Sequence, residues 1–298
     1  MAHPHPLTVG VDETPASRPA TLWAADEAVR RDAPLRLVHV QPPTSPAGPA
    51  APDPPRDPSL ARLAHDLTDR DPRLRLETVL VPGEPREVLR ELSRDAALLV
   101  IGSRGLGPLR GFLVGSVALP TVAHAQCPVV LVRAEAAAGA PSPGETGRTE
   151  PTGPTEPTGA PRGVTVGVDI RTPCEGVLRF AFEEARRRSA PLRVRHGWNP
   201  PPVYGARPFP LGATALEDVL ATRADALSAL LHPWYAAYPD VTVDARAVLT
   251  PPAALLVEAA ADAALLVLGR PHHRPRLGPL AHAALNHAPA PVAVVPHT

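Results

Sequence analysis

Short continuous apolar runs alternate along this chain with stretches of helical period. In the first half the runs predict strands at about 7–11, 35–40, 74–80, 97–101 and 129–132. Apolar residues at consecutive positions suit strands covered on both faces, as in a parallel sheet. Between the first two runs, Ala20, Trp23, Ala24 and Ala28 recur at i, i+3, i+4 and i+8, which predicts a helix over Ser17 to Arg31 with Arg18, Glu27 and Arg31 elsewhere on its surface. A second helix opens at Glu84-Pro85, where Pro85 suits the first turn and Val88, Leu89 and Leu92 face inward. A third runs from Ser116 to about Ala125. Strand, helix and crossover lengths suit right-handed βαβ units, so the predicted class is α/β and Rossmann-like, helices flanking a parallel sheet.

The pattern occurs twice. Leu7-Thr8-Val9-Gly10-Val11-Asp12 returns as Val164-Thr165-Val166-Gly167-Val168-Asp169, and Ala33-Pro34-Leu35-Arg36 as Ala190-Pro191-Leu192-Arg193. Ala96 to Gly102 returns as Ala263 to Gly269, and Pro128 to Val132 as Pro291 to Val295. Four matches in one order make the chain a tandem duplication: a domain over 1–134, a linker over 135–162 and a second domain over 163–298. The linker holds Thr149 to Gly159, a five-residue near-repeat of Thr, Glu, Pro and Gly that cannot bury enough surface to offset its ordering entropy. Deleting 140–158 is therefore expected to leave the unfolding free energy unchanged within about 0.5 kcal/mol in urea titrations. A large drop would mean the segment is packed. Two further Pro-rich stretches, Pro42 to Pro58 and Pro200 to Pro210, read as one surface loop occurring twice. The last strands, Val129 to Val132 and Val292 to Val295, read as sheet edges that must be paired or covered.

Composition narrows the function. The 298 residues carry 30 basic and 30 acidic side chains, so no global field recruits nucleic acid, and no apolar run approaches a membrane span. The N-terminus, Met1 to Pro6, lacks a basic patch followed by an apolar stretch, which predicts a cytoplasmic protein. Every basic residue is Arg, which excludes a Schiff-base lysine and the lysine of a Walker A loop. Cys127 and Cys174 have neither metal nor redox spacing and read as ordinary thiols.

The chemical signal is G-x2-G-x9-G-S. The fourth strand runs into Gly102-Ser103-Arg104-Gly105, and nine residues later Gly115-Ser116 opens a helix. Glycines let successive N–H groups turn toward a phosphate, a helix N-terminus adds unpaired donors, and Ser116 adds a hydroxyl. Asp12 ends the first strand on the same rim and is a candidate partner for sugar hydroxyls. The plain alternative is a tight strand-to-helix loop capped by Asp12.

Val9-Gly10-Val11-Asp12 with Ala16-Ser17, Gly102 to Gly107, Gly115-Ser116-Val117 and His124 to Val129 together resemble the universal stress protein family in its tandem form. The resemblance covers both copies apart from the linker and the Pro-rich loops. It implies a five-stranded parallel sheet with flanking helices in each copy and ATP binding where the glycine pattern is complete. By motif position it implies nucleotide contacts at Gly10 and Asp12, adenine at Val40, ribose and phosphates at Gly102, Ser103, Arg104 and Gly105, and the phosphate tail at Gly115, Ser116 and Val117.

Copy two departs from the pattern. The second motif glycine is His272; aligned on His287, Gly278 and Pro279 replace Gly115 and Ser116 in a loop four residues shorter, while counting nine residues puts His282-Ala283 there. Neither alignment leaves a Gly-Ser pair. His272, His273, His282 and His287 invite a metal, yet no acidic or Cys ligand lies close in sequence, and a solvated loop is the expectation.

The expected function is thus an ATP-binding stress-response regulator, its nucleotide held in copy one with or without Mg, while copy two is structural or binds a protein partner. Expected partners are the adenine nucleotide, an unidentified regulatory protein, and a second copy of the chain or the chain's own other half. Two alternatives stand beside it: a slow enzyme of nucleotide hydrolysis or adenylate chemistry, and a ligand-free dimerisation scaffold. Against an enzyme stand the missing Lys and the lack of an obvious general base or carboxylate cluster.

Overall fold

A computed structural model describes residues 5–12, 14, 17–41, 58–103, 114–133, 162–172, 174–199, 213–272 and 276–297. Residues 42–57, 135–161 and 200–210 of the Pro-rich stretches and linker, with Arg104, Gly105 and His273, lie outside the described residues.

The apolar runs become strands as the pattern predicts. Copy one is β1 (Leu7–Val11), α1 (Ser17–Arg31), β2 (Leu35–Gln41), α2 (Pro58–Arg70), β3 (Leu76–Pro82), α3 (Pro85–Leu92), β4 (Leu98–Ser103), α4 (Ala118–His124) and β5 (Val129–Arg133). Copy two repeats it as β6 (Gly163–Gly167), α5 (Glu175–Arg187), β7 (Leu192–Gly197), α6 (Ala213–Ala237), β8 (Val243–Val248), α7 (Pro252–Ala259), β9 (Ala263–Pro271), α8 (Pro279–His287) and β10 (Val292–His297). Three differences from the sequence reading bear on the site. A helix, α2, begins at the end of the first Pro-rich stretch; β4 extends two residues beyond its expected end; and α4 starts at Ala118, two residues after Ser116.

The ten strands among the described residues form one sheet in the order β3-β2-β1-β4-β5-β10-β9-β6-β7-β8. Each copy is parallel throughout, and the two meet through an antiparallel pair in which Leu131 faces Val292 and Val129 faces Val294. The expected edge strands are therefore paired with each other, and the duplication closes on itself within one chain. Side chains of successive strand residues enter opposite layers. Leu98 and Val100 join a core with α1, α2, α5 and α6, whereas Leu99 and Ile101 join one with α3, α4, α7 and α8; both cores run through both copies.

Glu27 and Arg31 do not lie on the open surface of α1, as the sequence suggested. Glu27 is fully buried, because α1 packs beside its repeat α5, where Glu184 is fully buried in the matching place. Arg31 donates to Glu27 at 2.6 Å and to Glu184 at 2.6 Å; Arg188 donates to Glu184 and, at 2.7 Å, to Glu27. Arg30 adds a bond to Glu27 and Arg187 one to Glu184. The symmetry extends to the aromatic rings: Arg31 lies over Phe180 and Arg188 over Trp23. A further exchange ties the helix ends, Arg133 donating to the Leu285 carbonyl and Arg270 to that of Ala125.

Candidate functional site

In the order β2-β1-β4 the chain leaves β1 toward one side and β4 toward the other, so their C-terminal ends border a crevice. Gly10 pairs with Ile101 across it, and Asp12 and Gly102 follow on the rim. Gly83, at φ +145°, turns β3 into α3, a backbone conformation that favours glycine, and so brings Pro85 and Leu89 over the crevice as a wall. Val38 and Val40 of β2 complete an apolar slot with a cavity of about 120 Å³. Beyond the slot the opposite lip is Gly115, Ser116 and Val117.

Of the residues the sequence singled out, Gly10, Asp12, Val40, Gly102, Gly115, Ser116 and Val117 surround this cleft. Arg104 and Gly105 lie outside the described residues. Ser103 does not line the cleft: because β4 runs on to this residue, it is held in the sheet opposite Arg133 and is only 8% exposed. The sequence reading of the site missed Thr14, Ser17 and Val38, and it placed Leu89 in the core without linking it to the cleft. Alternation along β2 could have pointed to Val38, which shares a face with Val40.

Local hydrogen bonds explain the lip and the rim. The Asp12 carboxylate accepts from the Thr14 N–H at 3.1 Å and the Thr14 hydroxyl at 2.6 Å, and the Ser17 hydroxyl donates to the Asp12 carbonyl. This is an Asx turn feeding α1. Copy two builds the same turn, with Asp169 accepting from the Arg171 N–H and the Thr172 hydroxyl. On the far lip, Ala118 donates to the Gly115 carbonyl, while the N–H groups of Ser116 and Val117 meet no acceptor among the described residues. The segment entering that lip is braced from the other copy: the Val114 N–H points to the Asn286 side-chain oxygen at 3.4 Å.

In copy two, α8 ends at His287 as α4 ends at His124, each followed by an Ala whose N–H closes the last turn. That correspondence places Gly278 and Pro279 where copy one has Gly115 and Ser116. Pro279 has no N–H, so a donor is lost from this lip. The cleft itself persists and is larger, about 690 Å³. Sequence reasoning, following the phosphate motif alone, missed it. Among the described residues no group of three His, Cys, Asp or Glu side chains is placed to hold a metal ion. Cys127 is a buried free thiol that burial pushes up to about 12, which makes it unreactive, and no described helix is long and apolar enough to cross a membrane.

Compared with models of known families, the chain matches the universal stress protein family over residues 4–133 and again over 162–296. The chain belongs to this family. As a universal stress protein it is 32% identical to the universal stress protein Rv2623 of Mycobacterium tuberculosis over 280 residues, 88% of this chain and 85% of that one. Its fold is similar to the crystal structure of a universal stress protein from Archaeoglobus fulgidus, with a TM-score of 0.60 over 98% of both chains at 13% identity. A universal stress protein solved in complex with cAMP is 25% identical and covers 43% of this chain and 96% of its own, with a TM-score of 0.34. A stress-response role comes with the family.

Proposed function

We propose that this universal stress protein is an ATP-binding regulator with one nucleotide site, in copy one. One observation carries the reading: the apolar slot at Val38, Val40 and Leu89 opens onto a lip where Gly115 precedes two backbone N–H groups that have no acceptor among the described residues. A planar base fits the slot, and an anionic tail suits unpartnered N–H donors. Asp12 stands between them, where sugar hydroxyls would pass. Magnesium would arrive on the phosphates, because Asp12 is the one carboxylate at this cleft among the described residues.

Occupancy of this cleft would fix the lip from Gly115 to Val117, and Val114 just before it points its N–H to Asn286 of copy two, so nucleotide binding and the packing of the two copies meet in one segment. A partner protein reading that surface would sense the nucleotide. Titration calorimetry with ATP is expected to give one site per chain, and phosphate release at saturating ATP to stay below about one per minute, far under ordinary turnover. Two equivalent sites would overturn the assignment to copy one. Turnover at ordinary enzymatic rates would replace the regulator by an enzyme.

A further inference from the structure

The larger cleft of copy two has its own chemistry. Three arginines line it, Arg171, Arg195 and Arg223, against one carboxylate, Asp169. Arg195 is neutralised by Asp244 at 2.7 Å from the neighbouring strand. Arg171 and Arg223 have no carboxylate partner among the described residues. Asp169 sits exposed at the mouth, its oxygens used in the turn to Arg171 and Thr172.

Arg223 is the deeper of the two and is held in place without being neutralised. Its guanidinium lies 4.2 Å from the centre of the Trp198 ring, and one amino group is 3.4 Å from His196 Nε2. His196 is buried, and its Nδ1 faces the Val168 carbonyl at 3.0 Å, so Nδ1 carries the proton and Nε2 is a neutral acceptor toward the arginine. Two buried donors here have no acceptor among the described residues, Arg223 Nε and Trp198 Nε1. Trp198 is itself only 8% exposed. A half-buried cation fixed by stacking, beside donors with no acceptor, is costly unless something supplies negative charge and lone pairs.

The remaining wall selects the rest of the ligand. Val177, Leu230, Leu256, Leu268 and Leu280 present an apolar surface, and about 690 Å³ is the size of a small-molecule site. A phosphate chain is disfavoured, because Pro279 removes a backbone donor from the lip. A carboxylate carries a single charge and matches the planar fork of a guanidinium. We infer that copy two binds a small organic carboxylate, its anionic end on Arg223 and its apolar body between Trp198 and the leucines. The molecule would then pair a nucleotide cleft with a metabolite cleft on one continuous sheet, and this second assignment stands independently of ATP binding in copy one.

The test uses the full chain labelled with ¹⁵N, whose three tryptophans give three indole N–H signals; Trp198→Phe identifies the one that matters. Hexanoate, benzoate and phenylacetate are titrated beside hexanol, benzyl alcohol and phenylethanol. At least one carboxylate is expected to shift the Trp198 signal saturably at millimolar concentration, about tenfold more tightly than its alcohol, a difference of about 1.4 kcal/mol. Arg223→Gln should abolish that preference, and Arg223→Lys, which keeps the charge, should retain part of it. Absence of a saturable shift with all three acids, equal binding of acid and alcohol, or a stronger response to inorganic phosphate or ATP at Trp198 would each overturn the proposal. Calorimetry with ATP on the Arg223→Gln chain reports copy one separately, so failure of either site is recognised without the other.

Discussion

Replacing Glu27 with Gln is expected to lower the unfolding free energy by about 3–5 kcal/mol, the range for removing one partner from a buried charge cluster. Both carboxylates of the cluster are inaccessible to solvent, and four guanidiniums converge on them. Without the charge on Glu27, Arg30 loses its carboxylate, and the almost enclosed Arg31 and Arg188 share Glu184 with Arg187, which also holds Glu183. Urea unfolding at neutral pH measures the loss. A change below about 1 kcal/mol would equate the cluster with a surface ion pair and remove its role in joining the copies. Substituting Glu27, Glu184, Arg31 and Arg188 together by Leu and Met should cost far less than the single change, since a packed apolar cluster leaves no charge unpaired.

The same cluster sets an acid limit. Burial alone would raise the Glu27 carboxyl, but the charges of Arg188 and Arg31 outweigh it and hold the group at about 2, against an ordinary value of 4.5. A carboxylate whose folded pKa lies below its unfolded one stabilises the fold fully above the unfolded value and loses that contribution as pH falls toward the folded one. The window for Glu27 is therefore from about pH 4.5 down to 2. Burial and the charge of Glu27 push Glu184 the other way, so as pH falls the pair takes its first proton on Glu184. Glu184 thus favours the folded state at low pH and partly offsets Glu27. That gain is made above about pH 4.5, where the folded Glu184 takes its proton before the unfolded one, so a Glu184→Gln chain should lack this contribution as pH falls toward 4.5 and keep the Glu27 loss below it.

How far the sequence revealed this molecule depended on whether the deciding partner was local. Strand runs such as Leu98 to Ile101 and the helix at Ser17 to Arg31 are legible because burial on both faces and a 3.6-residue period are properties of the segment itself. Helix α2 was lost behind the Pro-rich stretch that ends at its first residue, Pro58. Glu27 was misplaced for a different reason. A charged residue on an alanine-faced helix reads as solvated, and only the repeat of its own helix, which brings Arg188 from 161 positions away, makes burial tolerable. At the site, the rim residues were found because glycines and an acid after a strand have a local meaning. Ser103 came to the rim only with the family motif; β4 runs two residues past its expected end, and alternation puts the serine in the buried layer. Trp198, His196 and Arg223 belong to no short motif and come together from β7, its end and α6, so nothing local announces them.

Gly115→Val and Asp12→Ala are each expected to weaken ATP binding ten- to a hundredfold, about 1–3 kcal/mol for each lost interaction. At Gly115 a β-branched side chain would stand on the lip where an anionic tail meets the N–H groups of Ser116 and Val117. Asp12 needs a calibrated comparison, because its carboxylate also holds the Asx turn to Thr14 and its removal perturbs the start of α1. The duplication supplies that calibration. Asp169 makes the equivalent turn in the copy whose phosphate lip is broken, so Asp169→Ala carries the structural cost without the proposed sugar contact. Gly278→Val plays the same part for Gly115: Gly278 is extended, and a Cβ there meets nothing within 4 Å, so the chain tolerates the change. Calorimetry with ATP on the four variants, with unfolding curves beside it, separates the contributions. Losses confined to the copy-one changes assign the nucleotide to the cleft between β1 and β4. Equal losses from both pairs would mean a site shared by the two copies, and unchanged affinity in folded Gly115→Val and Asp12→Ala chains would return the segment from Gly102 to Ser116 to a plain connecting loop.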